Sequence, residues 1–413
     1  MWKLVQSGLS VVAGTAEPEY GPDSIRPVGS ELKEGEKCYR DVTRDDLKFR
    51  DPDHTNIETM VFYFEDNVHS GFAQIIHSNL MGIHTNAQFT FKVFKKDEPE
   101  KYVWTSTKLE NAKIVDGTDF YADNLSIVLD KEKGDTYTIN SSVTPKSEVI
   151  NLKLVHVGEG VIFGKDGTTY YGTDPENPWG SMRHLFWPRC RATGEIICRK
   201  YRQPKEDETD GNGEFLDWDS TNEKLKISEE KFEIKNGLGM YVMAMQGMKP
   251  HHAAAAWDFL NYQSNSHSVV IMEYTTPPSY NTTTVSTAMV VDKDGKPVLC
   301  TLNNKTEHLD TYKDEDCGWM VPRKMKYTME GVNSEGKKTT AVVTADLQRM
   351  SERVDVMSEI PQLVKNIVSG IAGTRPYIYQ YSNSMELKVY VEGDEIINEK
   401  GYGYNETTFI SDI

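Results

Sequence analysis

The sequence predicts a mainly β protein, two antiparallel β domains in tandem behind a short N-terminal amphipathic helix. Three observations carry this. The chain has 413 residues, too many for one ordinary core. From about Asn56 the apolar residues recur with a period of two, in short segments parted by polar turns such as Asp116-Gly117 and Lys133-Gly134-Asp135. Met1–Gly14 instead follows a helical period. Strands spaced so closely, with no helix between them, build an antiparallel barrel or a sandwich.

The helix comes first. At ~100° per residue, Met1, Trp2, Leu4, Val5, Leu9, Val11, Val12 and Ala13 share one broad arc, with Lys3, Gln6, Ser7, Ser10 and Gly14 opposite. A secretory signal needs an unbroken apolar stretch, which Gln6, Ser7, Gly8 and Ser10 interrupt. The segment is also too short to span a bilayer. It reads as an interfacial membrane helix over 1–16, inserting Trp2, Leu4, Val5, Leu9 and Val12. The bland alternative is a terminal helix docked on the protein's own core. Glu17–Lys37, with Pro18, Pro22, Pro27 and many charges, reads as a linker, so 17–54 is linker and lead-in.

In the first β domain, 55–202, Ala87, Phe89, Phe91 and Val93 alternate with Gln88, Thr90 and Lys92, as in a half-buried strand. Other strands are expected at Met60–Phe64, Gly71–His77, Val103–Leu109, Leu125–Leu129, Thr136–Val143, Val149–Val155 and Arg191–Lys200. An acidic stretch, 203–236, reads as a loop or linker, because blocks of charge are usually solvated. The second domain, 237–413, has strands at Ser268–Tyr274, Thr284–Val291, Lys296–Leu302, Lys324–Glu330, Thr339–Thr344, Tyr377–Tyr381 and Met385–Val391. One helix stands among them. Ser358 can cap it, Pro361 sits in its first turn, and Ile360, Leu363, Val364, Ile367, Val368 and Ile371 form its stripe before Gly370 and Gly373. It is expected to pack outside a barrel.

Charge and cysteine usage exclude several function classes. Acidic residues outnumber basic ones 63 to 46, for a net −17, and no Lys/Arg cluster offsets this. Nucleic-acid binding is therefore not expected. The five cysteines, at 38, 190, 198, 300 and 317, show no CxxC or Cys/His metal spacing, so reduced thiols in the cytosol and no metal site are expected. No cofactor motif, nucleophile elbow or phosphate-binding glycine loop occurs.

Two segments stand apart. Gly239–Phe259, GMYVMAMQGMKPHHAAAAWDF, runs from an uncharged strand-like stretch through Gly247 and Pro250 to a His pair, four alanines and Trp257. His251–Phe259 could be a short helix or a tight crossing segment. Trp179–Pro188, WGSMRHLFWP, sets a His between two tryptophans. Both are expected to line the junction between the two β domains, where a ligand would be held.

The runs AEPEYG, FAQIIHSN, WTSTKLEN, FYADNLS, DGTTYYG, PWGSMRHLFWPR, MQGMKPHHAAAAW, ERVDVMSEIP and VKNIVSGIAGTRP closely resemble the fungal Survival Factor One family of oxidative-stress survival proteins. The resemblance covers nearly the whole chain apart from the acidic loop near Asp207. It implies two tandem lipocalin-like barrels, similar to bacterial carotenoid hydratases. It also implies binding of ceramide or a related sphingolipid and its non-vesicular transfer between endoplasmic reticulum and Golgi, without a cofactor. The implied location is cytoplasmic and peripheral on those membranes, with the nucleus as a further compartment and an acetylated Met1 on the membrane helix.

A ceramide needs an apolar slot for its chains and a few polar groups for its amide and hydroxyls. Trp179, Trp187, Met243, Met245 and Trp257 are the candidates for the slot, and His184, His251 and His252 for the polar end. The bland alternative is that these are ordinary core residues. The rival class is a lipocalin-like hydratase or pericyclase acting on an apolar small molecule, with a pair such as His252 and Asp258 doing acid–base work.

Overall fold

The computed structural model describes residues 20–50, 56–80, 84–142, 148–205, 209, 225–248, 250–359 and 375–412. The expected membrane helix Met1–Gly14 and most of the acidic loop lie outside them. So does the helix expected from Ser358, apart from a helical turn at Val356–Glu359.

Two large antiparallel sheets make up the fold. The central strands of the first run in the order His84–Lys95, His69–Leu80, Asn56–Glu65, Lys226–Gln246, Gly180–Tyr201, Glu148–His156, Thr136–Ser141. Those of the second run His267–Thr275, Ala256–Gln263, Asp394–Phe409, Tyr377–Val391, Lys338–Asp346. Each sheet curls over its own core. Because successive side chains of a strand point to opposite faces, Met60, Phe62 and Phe64 enter the first core with Phe89, Phe91 and Val93. Val61 and Tyr63, between them, face outward. In the second sheet Leu260 and Tyr262 point in, while Phe259 points out.

The outward residues form a third core. Val61, Phe72, Phe186, Met240 and Val242 of the first sheet meet Phe259, Val270, Met289 and Tyr404 of the second. Polar locks flank it. Pro188, which cannot donate a ladder hydrogen bond, sits where the register slips between Trp187 and Cys190. Next to it, Arg189 reaches across the seam. Its Nη1 donates to the Ser264 carbonyl at 3.1 Å and Ser268 Oγ at 2.8 Å, and its Nη2 to the Asn265 carbonyl at 3.0 Å. Gln263 Nε2 answers by donating to the Pro188 carbonyl at 3.1 Å. Two turns also touch backbone to backbone. Gly158 and Gly295 have φ of +80° and +75°, and a Cβ on Gly295 would lie 1.9 Å from the Val157 carbonyl oxygen. Only glycine fits there.

Three expectations on the chain's layout are corrected. The charged run before Gly237 is not a linker, because Lys226–Gln246 is one strand between Asn56–Glu65 and Gly180–Tyr201. The expected boundary at 237 falls inside it, and the chain changes sheet only after Gln246. Lys231, Glu233 and Lys235 are the exposed face of that strand, while Phe232 and Ile234 are buried. The segment Glu17–Lys37, from Tyr20 on, is a strap and not a free linker. Ile25–Arg26 pairs with Tyr170 and Tyr171 of the first sheet, and the Gly21 N–H donates to the Ser279 carbonyl of the second at 2.8 Å. Trp179–Pro188 largely continues into the 22-residue strand Gly180–Tyr201. All five cysteines are free thiols.

Candidate functional site

Between the outward faces lies a cavity of about 260 Å³. Its apolar walls include Val61, Tyr63, Phe72 and Val242 from the first sheet and Phe259 and Met272 from the second. Tyr63 bridges the seam, its ring stacked on Phe259 at 5.6 Å and tilted on Tyr404 at 5.3 Å.

One wall is polar. Glu406 stands on Asp394–Phe409 directly opposite Gln380 of the neighbouring strand. Its carboxylate accepts hydrogen bonds from Trp257 Nε1 at 3.2 Å, Gln380 Nε2 at 3.1 Å and the Tyr404 hydroxyl at 3.4 Å. Burial outweighs these donors and pushes the Glu406 carboxyl above its usual range. Behind it, the buried Lys92 donates to Gln380 Oε1 at 3.1 Å and to Glu352 at 2.7 Å. Burial pulls the Lys92 ammonium below its usual range. Lys92, Gln380 and Glu406 thus form one polarised chain ending at the cavity.

His184 lines the same space, parallel to Phe186 at 6.2 Å. Burial, with the Arg183 charge beside it, pushes the imidazole down to about 4. At neutral pH it is uncharged, with one nitrogen donating and the other accepting.

The structure divides the expected site residues by strand parity. His184, Met245 and Trp257 line the cavity. Trp187 and Met243 do not; they sit on the inward face and join the first core, Trp187 stacked on His156 at 4.6 Å. An odd number of steps from His184 to Trp187 makes this inevitable on a pleated strand. Trp179, His251 and His252 flank the cavity without lining it. His251 and His252 belong to the short helix Pro250–Ala253, their rings 4.0 Å apart, and His252 meets Trp179 edge-on at 5.4 Å. The alanines serve close packing, Ala253, Ala254 and Ala255 being buried, and the Tyr171 hydroxyl donates to the Ala253 carbonyl at 2.9 Å.

The pairing of His252 with Asp258 is also corrected. Asp258 points into the second sheet, where His308 Nε2 lies 3.1 Å away and Thr407 Oγ1 donates at 2.7 Å. Sequence reasoning missed Glu406, Gln380, Tyr404 and Lys92. The only available signal was the Tyr404/Glu406 alternation, hidden in a strand too polar to be expected. Among the described residues no group of three or more His, Cys, Asp or Glu side chains is placed to hold a metal. The site thus suits a largely apolar molecule with a small polar part, met by a carboxyl, amides, an indole N–H and an imidazole.

Comparison with known proteins agrees over nearly the full length. The family described as the Svf1 family matches residues 2–411. The chain is 48% identical over 415 residues to a ceramide-binding protein SVF1 of Debaryomyces hansenii, covering all of both chains. It is 46% identical over 417 residues to that of Candida albicans, again covering all of both. Among solved structures it is similar to kievitone hydratase from Nectria haematococca, at a TM-score of 0.51, 10% identity and coverage of 95% and 98%. CghA is similar at 0.50, 12% identity and coverage of 87% and 89%. These two show the fold alone, a mainly β lipocalin-like architecture of two curled sheets. Matched from one end to the other at nearly half of its positions, the chain belongs to the Svf1 family.

Proposed function

We propose that this protein is a lipid carrier that holds ceramide or a related sphingolipid in the cavity between its sheets. It moves the lipid non-vesicularly between endoplasmic reticulum and Golgi membranes, and so supports survival under oxidative stress. It is a binding protein and not an enzyme in this reading. The observation that carries it is the composition of the cavity, apolar on most sides and polar on the Glu406 wall, in a chain whose full-length relatives are named ceramide-binding proteins. Each buried methylene of a lipid chain contributes about 0.8 kcal/mol. An amide or hydroxyl buried without a partner would cost part of that back, and the Glu406 wall supplies partners. The cavity lies just below the range of about 300–1,000 Å³ common for small-molecule sites, so a two-chain lipid widens the seam as it enters. Met182, Met245 and Met272 in its walls can re-pack as this happens.

Docking falls to the N-terminal segment. Trp2, Leu4, Val5, Leu9 and Val12 insert into the interface, and the protein works in the cytoplasm, peripheral on both membranes. Lys3 is the only side-chain charge in Met1–Ala13, so apolar burial dominates attachment. Leu9→Asp/Val12→Asp should abolish liposome flotation, whereas high salt should not strip the wild type. Salt-sensitive wild-type binding would sink this part.

Native mass spectrometry of the purified protein tests the carrier itself. Wild type should carry a mass matching ceramide, and Ala244→Trp, which plugs the cavity, should lack it while keeping its circular dichroism. Lipid retained by the folded Ala244→Trp protein would move the site elsewhere.

A further inference from the structure

The two strands that carry Gln380 and Glu406 also carry a second cavity. On the same face, Ser382 and Ser384 follow Gln380, while Tyr404 and Tyr402 precede Glu406. Past Lys92 the seam opens into a cavity of about 570 Å³, which Lys96 of the first sheet and residues of the second line together.

Its chemistry is unlike that of the lipid cavity. Asn383 Nδ2 is buried without a hydrogen-bond partner, and the Ser382 Oγ and Tyr402 hydroxyl have none but each other. Ser382 is 0% exposed and Asn383 6%. A buried donor of this kind can still take a ligand acceptor as its partner. The amide of Asn383 cannot turn its oxygen inward, because Oδ1 already accepts the Arg349 N–H at 3.1 Å. Its NH₂ is therefore a fixed donor. Burial pushes the Tyr402 phenol upward, so it too stays a donor.

Charge points the same way. Lys96, Lys324, Arg349 and Lys400 line the cavity against Asp346 and Glu386, in a chain of net −17. Lys96 is shared between Glu65 at 3.3 Å and the face of Tyr402 at 4.2 Å, and Lys324 pairs with Asp346 at 3.4 Å. Arg349 Nη1 donates to the carbonyls of Lys96 at 3.0 Å and Asp97 at 2.6 Å, which fix the guanidinium without neutralising it. A cavity that sets the buried Asn383 donor beside four cations and only two carboxylates suits a group with several acceptor oxygens and negative charge.

We propose that this cavity binds a phosphate group. The bearer is either a soluble phosphorylated molecule or the headgroup of an anionic phospholipid at the membrane surface. The two cavities share a seam but no lining residue, so this proposal stands apart from the ceramide reading.

The test uses full-length protein and two probes. Inorganic phosphate is titrated by calorimetry, and flotation is measured with phosphatidylcholine vesicles with and without phosphatidic acid. Asn383→Asp, which replaces the donor NH₂ by an acceptor, should weaken binding roughly tenfold or more, and Tyr402→Phe should act in the same direction. Variant-sensitive binding of free phosphate identifies the soluble source. Sensitivity seen only with phosphatidic acid vesicles, and persisting in the Leu9→Asp/Val12→Asp background, identifies the headgroup. If Asn383→Asp fails to fold, Lys400→Glu at the exposed rim carries the same expectation. Binding of neither probe, or binding that these variants leave unchanged, overturns the proposal.

Discussion

The inner face of the first sheet and its outer face at the seam are built from the same strands, one residue out of step. Inside, Phe62, Tyr137, Trp187 and Tyr241 pack ring to ring at 4.9 to 5.4 Å. Outside, Val61, His184 and Val242 border open space and meet a carboxyl from the other sheet. Stability and ligand chemistry are thus separated by strand parity and not by distance. A fold that packs its cores on the inner faces of two curled sheets keeps a cavity where their outer faces meet.

The largest expected effect lies inside. Trp187→Ala should cost about 3–5 kcal/mol, read as a fall in the urea midpoint, because a large buried side chain leaves a cavity. Trp257→Phe, at the half-buried seam, keeps most of the packing and loses one hydrogen bond to Glu406, so about 1 kcal/mol is expected. Equal losses would break the comparison.

Next comes the latch holding the two faces at a fixed separation. Gly295→Ala should cost about 1–3 kcal/mol for its backbone conformation, with the clash against Val157 added. It should also quicken hydrogen exchange along Val61 and Val242 before the inner face is affected. Uniform exchange would show that the seam does not open on its own.

The acid–base behaviour of the seam is subtler. Glu406 has a raised value in the folded chain, so the folded state holds this proton more tightly than the unfolded one. Its contribution therefore favours folding at low pH and is lost as pH rises above the ordinary 4.5. Glu406→Gln removes that loss, and its melting temperature relative to wild type should climb from pH 5 to pH 8. His184 acts in the opposite sense. Its folded value is about 4 against an ordinary 6.5, so the wild type loses stability as pH falls through that window. In His184→Gln the loss should shrink, as melting curves between pH 7 and pH 4.5 would show. No change in slope would place the imidazole in water.

Much of the fold was legible because alternation is a local signal. Leu125–Leu129 is bounded in the structure where the sequence puts it, and Met60–Phe64 and Ser268–Tyr274 fall within a few residues of the observed strands. Two of the misses share one cause. Lys226–Gln246 and Asp394–Phe409 carry charge on a solvated face, so strands that are central in their sheets resemble loops. The junction was legible from two unusual segments, yet only parity relative to a neighbour decides that His184 faces it and Trp187 does not. Glu406 and Gln380 lie 26 residues apart and meet through pairing, which a single sequence does not display. Lys92, 288 residues from Gln380, is still less visible.

The late return of two strands sets the order in which the protein can be made. Asn56–Glu65 has the edge facing Lys226–Gln246 open until the ribosome has released the latter, and Ala256–Gln263 waits for Asp394–Phe409. Each waiting strand is an unsatisfied edge, the feature through which nascent chains stick to one another. Two such waits fall within the synthesis of this one chain. A nascent chain stalled after Val391 should fold its first sheet to protease resistance while the second remains cleavable.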